Sequence, residues 1–458
     1  MSDVITIDPA TDAELARHPG LDDEGIEAVL SSAALAQSAW RHVAVSERVR
    51  PLRALAQLLR DEVEEHAQLI SREMGKPITE AIAEVRKCAV TCEYYADHAE
   101  EFLADQPVQT EAAASFVAYE PLGVVLAVMP WNFPYWQVIR FAAPTLAAGN
   151  GGLLKHASNV TGCAIAIADV IRRAGFPEGL FQTLVLTGHG QVDDIIGDAR
   201  VAAVTLTGSE AAGASVAAAA GRALKKTVLE LGGSDPFVVL DDADIGKVAP
   251  LAVRARFVNT GQSCLCAKRF PVDAAVVDDF ERRVGELVRD LRIGDPLDPA
   301  TQIGPLAKRS FVDDIDRQVR ESIAMGARVV VGGHRMDGPG NFYAPTVLAD
   351  VTVDMPVFRE ETFGPVMAIV RADDAEHAIA LADDTRYGLA ASVWTADMER
   401  GLALGGGIQS GALFVNAVVV SDPRLPFGGV KLSGYGRELS REGMLEFTNV
   451  RAVWAMRA

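Results

Sequence analysis

Between residues 123 and 240, short apolar runs alternate with helix-like stretches, and no other feature of the chain limits its fold so strongly. The runs at 123–129, 152–154, 180–186, 201–206 and 237–240 each end in a turn, with helical patterns at 163–174 and 211–224 between them. Strands separated by helices cannot pair as tight hairpins, so they must enter a sheet through crossovers and lie mostly parallel. The pattern predicts a doubly wound nucleotide-binding domain. Beyond Gly261 the alternation restarts, with helix-like 278–291 and 374–382 between strand-like 328–331, 366–370 and 413–416. This predicts a second α/β domain. Ahead of both, residues 22 to about 101 repeat apolar positions at helical spacing, broken near Pro77. The segments 111–119 and 448–458 read as isolated strands with little core of their own.

Composition narrows the function classes. A 458-residue chain that is 49% hydrophobic can bury the cores of two or three domains. Its formal charge of −19 opposes binding to nucleic acid or to anionic membrane surfaces. The start, Met1-Ser2-Asp3-Val4-Ile5, lacks a secretory pattern, and no apolar run approaches the ~20 residues that span a bilayer, so a cytoplasmic location is expected. Five cysteines do not make a disulfide framework, so any special cysteine should be chemical. Cys88 and Cys92, with His98 nearby, match no common zinc spacing; they are read as core residues, and no metal is expected.

Several turns carry residue types suited to chemistry. Thr207-Gly208-Ser209 leaves an apolar strand and opens a helix, where phosphate can bind, although a packing turn needs small residues as well. Leu154-Lys155-His156-Ala157-Ser158 does the same with a cation; Ser158 could be only a helix N-cap. Asn259-Thr260-Gly261-Gln262-Ser263-Cys264 places a cysteine after a glycine turn, and a nucleophilic thiol needs exposure and a lowered pKa. Glu230 ends a strand-like run beside Gly232 and Gly233, and Asn132 is held within Pro130-Trp131-Asn132-Phe133-Pro134. Taken singly, these could be a buried small hydrophobe, a solvated strand end and a turn former.

Taken together, 130–134, 230–233, 261–264 and Glu361-Thr362-Phe363-Gly364-Pro365-Val366 occur in an order that resembles the aldehyde dehydrogenase superfamily along nearly the whole chain, as does 426–434. Lys155 to Ser158 and Ser421 to Arg424 look most like bacterial succinate-semialdehyde dehydrogenases. The resemblance implies a Rossmann-type cofactor domain at 1–104 and 120–231, a catalytic domain at 232–430, and an oligomerisation element at 105–119 and 431–458, with a homodimer or homotetramer as the assembly. It implies that a Cys264 thiolate attacks a small aldehyde, that the Asn132 amide and the Cys264 N–H hold the oxyanion, and that Glu230 activates the water that hydrolyses the thioester. It assigns the nicotinamide ribose to Glu361, the ring face to Phe363, the adenine ribose to Lys155, and the pyrophosphate to Trp131 with the turn Gly208-Ser209.

Family members that favour NAD commonly carry Glu where this chain has Ser158, so NADP is expected, with NAD also possible. His156 departs from the usual Pro. Arg140 and Ser421 correspond to carboxylate anchors of the semialdehyde enzymes, whereas a third, an Arg six residues before the nucleophile, is replaced by Val258. Arg140 could also be a solvated helix residue. Two other readings stay open: an acylating enzyme that hands the thioester to coenzyme A, which Glu230 argues against, and a non-catalytic nucleotide binder. Cys266, two residues after Cys264, suggests a reversible disulfide that silences the nucleophile; the alternative is simple apolar packing.

Overall fold

A computed structural model describes residues 2–188 and 190–457. Five helices open the chain after a small hairpin of Asp3–Ile7 with Glu14–Pro19, an element the sequence does not signal. Pro77 breaks the helical run as expected: it stands at the N-cap of the long helix Ile78–Phe102, where its fixed φ suits helix entry. Cys88 and Cys92 are buried core residues of that helix.

The first alternation, except for its last run at 237–240, which joins the second sheet instead, forms a six-stranded sheet in the spatial order Gly434–Tyr435, Lys226–Glu230, Val201–Thr207, Val124–Met129, Gly151–His156, Phe181–Thr183. All neighbours are parallel except the first pair, in which Gly434 lies opposite Glu230. Residues 434–435 therefore join this sheet, apart from the rest of the tail. The second alternation forms a seven-stranded sheet ordered Arg328–Val331, Thr346–Ala349, Val366–Ala372, Ala267–Asp273, Asp235–Val239, Ala390–Trp394, Ala412–Val415, antiparallel only at its first pair. The two isolated strand segments find each other: Thr448–Ala455 pairs antiparallel with Ala114–Pro121 along its full length, and Gln106–Pro107 completes a three-stranded sheet.

In the six-stranded sheet the chain leaves Val124–Met129 toward one edge and later returns on its other side at Val201–Thr207. Such a reversal opens a crevice at the carboxyl ends of the strands. The loops after Met129 and Thr207 emerge there. The first of these loops leads into the helix Trp136–Ala147, which packs on Val124–Met129, Gly151–His156 and the helix Ile78–Phe102 and all of whose residues are buried, as expected for a helix that is apolar nearly all round. Its entry is held by Glu84, whose carboxylate accepts from the N–H groups of Tyr135 at 2.8 Å and Trp136 at 2.9 Å. Those amides have no partner within the helix, and a carboxylate also suits the positive helix end. Glu84 is in turn ion-paired with buried Lys76.

Candidate active site

The turn before Cys264 is built against local preference. Asn259 and Thr260 have φ of 53° and 55°, followed by Gly261 at 74°. Left-handed backbone costs a non-glycine residue roughly 1–2 kcal/mol, so such a turn persists only where its surroundings over-determine it. Here Asn259 N–H donates to Glu80 at 2.6 Å, the Asn259 side chain donates to the carbonyls of Asn132 and Gln262, and the Thr260 hydroxyl accepts from Gly304 N–H at 3.0 Å. Gly261 has no substitute, because a Cβ there would lie 2.3 Å from the carbonyl oxygen of Gly364.

The turn delivers Cys264, partly exposed, into a cavity of about 800 Å³ whose wall includes Phe133, Trp136, Arg140, Val258, Ser421 and Phe427. Burial pushes the thiol up to about 12, against the opposing pull of Lys268 and Arg140. The lowered pKa that a nucleophile calls for is therefore not built into the resting site. The nearby cations are already engaged: Lys268 donates to the carbonyls of Ser263 and Cys264 at 2.9 Å, and Arg140 faces a carboxylate of its own.

Asn132 sits beside the turn, 4% exposed. Its Oδ1 accepts from Gln137 Nε2 at 3.1 Å and its Nδ2 donates to the Gln262 carbonyl at 3.0 Å, which orients the amide and leaves its second N–H uncommitted. Glu230 is 2% exposed, with no hydrogen-bond partner for either carboxylate oxygen among the described residues. Burial and the charge of Glu438 hold its carboxyl well above the ordinary range. Gly428 permits this approach, since a Cβ there would lie 2.9 Å from Glu230 Oε1.

On the crevice side, Gly208 N–H donates to the Glu230 carbonyl at 2.9 Å, and Ser209 caps the helix Glu210–Arg222 by accepting from Ala212 N–H. Trp131 stacks on Phe311 at 4.7 Å between ring centres and meets Phe363 edge-on at 5.7 Å. Glu361 accepts from Gly233 N–H at 3.0 Å, a contact that needs the glycines, because a Cβ on Gly232 would sit 2.5 Å from Glu361 Oε2. Lys155, paired in register with Val128, is depressed by desolvation and then by Lys308, a second half-buried lysine with no signal in the local sequence. No acidic group among the described residues offsets either lysine.

Ser158 is exposed and begins a short 3-10 turn whose N-cap is Ala157, so it is not the cap it could have been. His156, where a proline was expected, is buried and neutral, pushed down to about 4 by burial. Its Nε2 lies 3.0 Å from the Pro134 carbonyl and its Nδ1 3.1 Å from the Met129 carbonyl, so the ring ties the 130–134 loop to the strand before it. Arg140 lines the cavity but is not solvated: its Nη2 lies 2.5 Å from Glu438 Oε2 and 3.3 Å from Thr207 Oγ1, and its guanidinium covers the Phe427 ring at 4.7 Å. Ser421, 7% exposed, accepts from Lys87 Nζ at 2.6 Å. Cys266 is 1% exposed, and its thiol donates to the Val258 carbonyl at 3.5 Å.

A two-domain α/β chain that presents a thiol in a cavity beside a sheet of nucleotide-binding type is the architecture of an aldehyde-oxidising enzyme. The chain belongs to the aldehyde dehydrogenase family, which it matches over residues 2–453. It is 51% identical to the probable NADP+ succinate-semialdehyde dehydrogenase of Synechocystis sp. over 98% of this chain and 99% of that one. To the Escherichia coli NAD(P)+ succinate semialdehyde dehydrogenase it is 47% identical over 98% and 97%. A crystal structure of succinic semialdehyde dehydrogenase from Streptococcus pyogenes in complex with NADP+ superposes with a TM-score of 0.96 at 39% identity, covering 99% of this chain and all of that one.

Proposed function

We propose that the chain oxidises succinate semialdehyde, or a similar small aldehyde bearing a carboxylate, to the acid with NADP, accepting NAD as well. The observation that carries this reading is a thiol lining the same cavity as a set of cationic and hydroxyl groups, Arg140, Lys87 and Ser421. Relatives of about half-identical sequence bear the same activity in their names.

In this reading the Cys264 sulfur attacks the aldehyde carbon, its proton leaving to water in the cavity, and the oxyanion is held by the free Asn132 N–H and the Cys264 backbone N–H. When bound, the nicotinamide supplies the hydride acceptor. Oxidation leaves a thioester on Cys264, and Glu230 takes a proton from the water that cleaves it. Glu230 suits that task in being buried, unpartnered and raised toward neutrality, where a base is both available and strong. Trp131, Gly208, Ser209, Glu361 and Phe363 would hold the dinucleotide. Lys155, Lys308 and the uncharged Ser158 fit a 2′-phosphate, since two lysines without an acid are stabilised by an anion.

A steady-state panel crossing succinate semialdehyde, glutarate semialdehyde and butanal with NADP and NAD tests the reading. The expected order is an anionic semialdehyde over butanal and NADP over NAD; equal kcat/KM for succinate semialdehyde and butanal would overturn the substrate class.

A further inference from the structure

The two anchors taken from the semialdehyde enzymes leave the cavity short of free positive charge. Arg140 is opposed by Glu438 at 2.5 Å, with both side chains at most 7% exposed, so its charge is compensated before any substrate arrives. Val258 stands where a further arginine would project. A carboxylate entering this cavity without a cation of its own would lose hydration for no return.

Lys87, on the helix Ile78–Phe102, lines the same wall and meets the requirement. Its ammonium is 2.6 Å from Ser421 Oγ and 3.9 Å above the Trp136 ring, contacts that hold a cation in place without neutralising it. The acids nearest to it are engaged elsewhere: Glu84 with Lys76 and two helix amides, Asp422 with Arg424 at 2.6 Å. Arg254, the other wall cation without an ion-pair partner among the described residues, is exposed and lies near Glu80.

Resting on the substrate class proposed above, we infer that Lys87, with the Ser421 hydroxyl, binds the substrate's carboxylate and makes the enzyme select anionic aldehydes. Ser421 can turn its hydroxyl to donate to the same carboxylate, so the pair would grip both oxygens. Trp136 and Phe427 would cover the methylenes between the carboxylate and the aldehyde.

The test compares kcat/KM for succinate semialdehyde and for butanal, a neutral aldehyde of equal chain length, in wild type, Lys87→Met, Lys87→Arg, Ser421→Ala and Arg254→Met. Loss of one charge-assisted hydrogen bond predicts that Lys87→Met lowers the semialdehyde-to-butanal ratio by roughly 10- to 100-fold, carried by KM. Lys87→Arg should restore most of the ratio and Ser421→Ala should lower it less. Should Lys87→Met fail to fold, Lys87→Gln takes its place, with butanal turnover as the check on folding. A wild type that favours the semialdehyde, and keeps that preference in Lys87→Met or loses it in Arg254→Met instead, overturns the assignment to Lys87 alone. A wild type with no preference overturns the substrate class, and the anchor with it.

Discussion

Replacing Ser158 by Glu puts a carboxylate three residues from Lys155, which like Lys308 has no acid near it among the described residues. Ser158→Glu should cut the NADP-to-NAD selectivity by roughly 10-fold or more, mainly through apparent NADP affinity, and Lys155→Ala should weaken both cofactors. An unchanged ratio in the Glu variant would remove Ser158 from cofactor choice. The two catalytic steps can be separated as well. Cys264→Ala should lose more than roughly 10³-fold in oxidation, whereas Glu230→Gln should still release a burst of reduced cofactor before slow turnover. Because Glu230 works as a carboxylate and its pKa is raised, turnover should climb with pH well above the usual carboxylate range. Burial is the main cause and Glu438 the second, so Glu438→Gln should shift that climb to lower pH. A Glu230→Gln variant without a burst, or a climb unmoved by Glu438→Gln, would refute the respective role.

Among the elements, the turn Val258–Gly261 does most to shape the site, because it aims Cys264 into the cavity while turning Cys266 back into the core. A disulfide between the two would require the Cys266 thiol to leave the Val258 carbonyl and the turn to bend, giving a strained and easily reduced bond. If that switch operates, peroxide-treated wild type should recover with dithiothreitol more fully than Cys266→Ala. Equal loss and equal recovery would leave Cys266 as a packed apolar side chain, a role its burial already supplies. The motif around Cys264 was legible because a cysteine after a glycine turn is rare in this chain. Lys87 was not. It sits on a helix that sequence patterning treats as packing, and only its approach to Ser421, more than three hundred positions away, gives it a role.

At the scale of the molecule, the strand Thr448–Ala455 pairs along one edge with Ala114–Pro121 and, among the described residues, leaves its other edge unpaired, with Val450 62% and Trp454 55% exposed. Open strand edges with exposed apolar side chains favour association with another chain. A homodimer or homotetramer is therefore expected by sedimentation, and Val450→Asp with Trp454→Asp should shift it toward monomer; a wild type that sediments as a monomer would end that expectation. The parallel character of the two sheets could be read from the sequence, because alternating apolar runs and helices admit crossovers and little else, but the assignment of 237–240 to the second sheet could not. The sequence by itself also determined the ordered turns bearing Asn132, Glu230, Cys264 and Glu361, whose residue types carry their chemistry locally. The electrostatics of the site come from the packing of the chain. Whether Arg140 is free or opposed by Glu438, whether the Cys264 thiol is held up or down, and which lysine reaches Ser421 depend on burial and on partners distant in sequence, which no local pattern records.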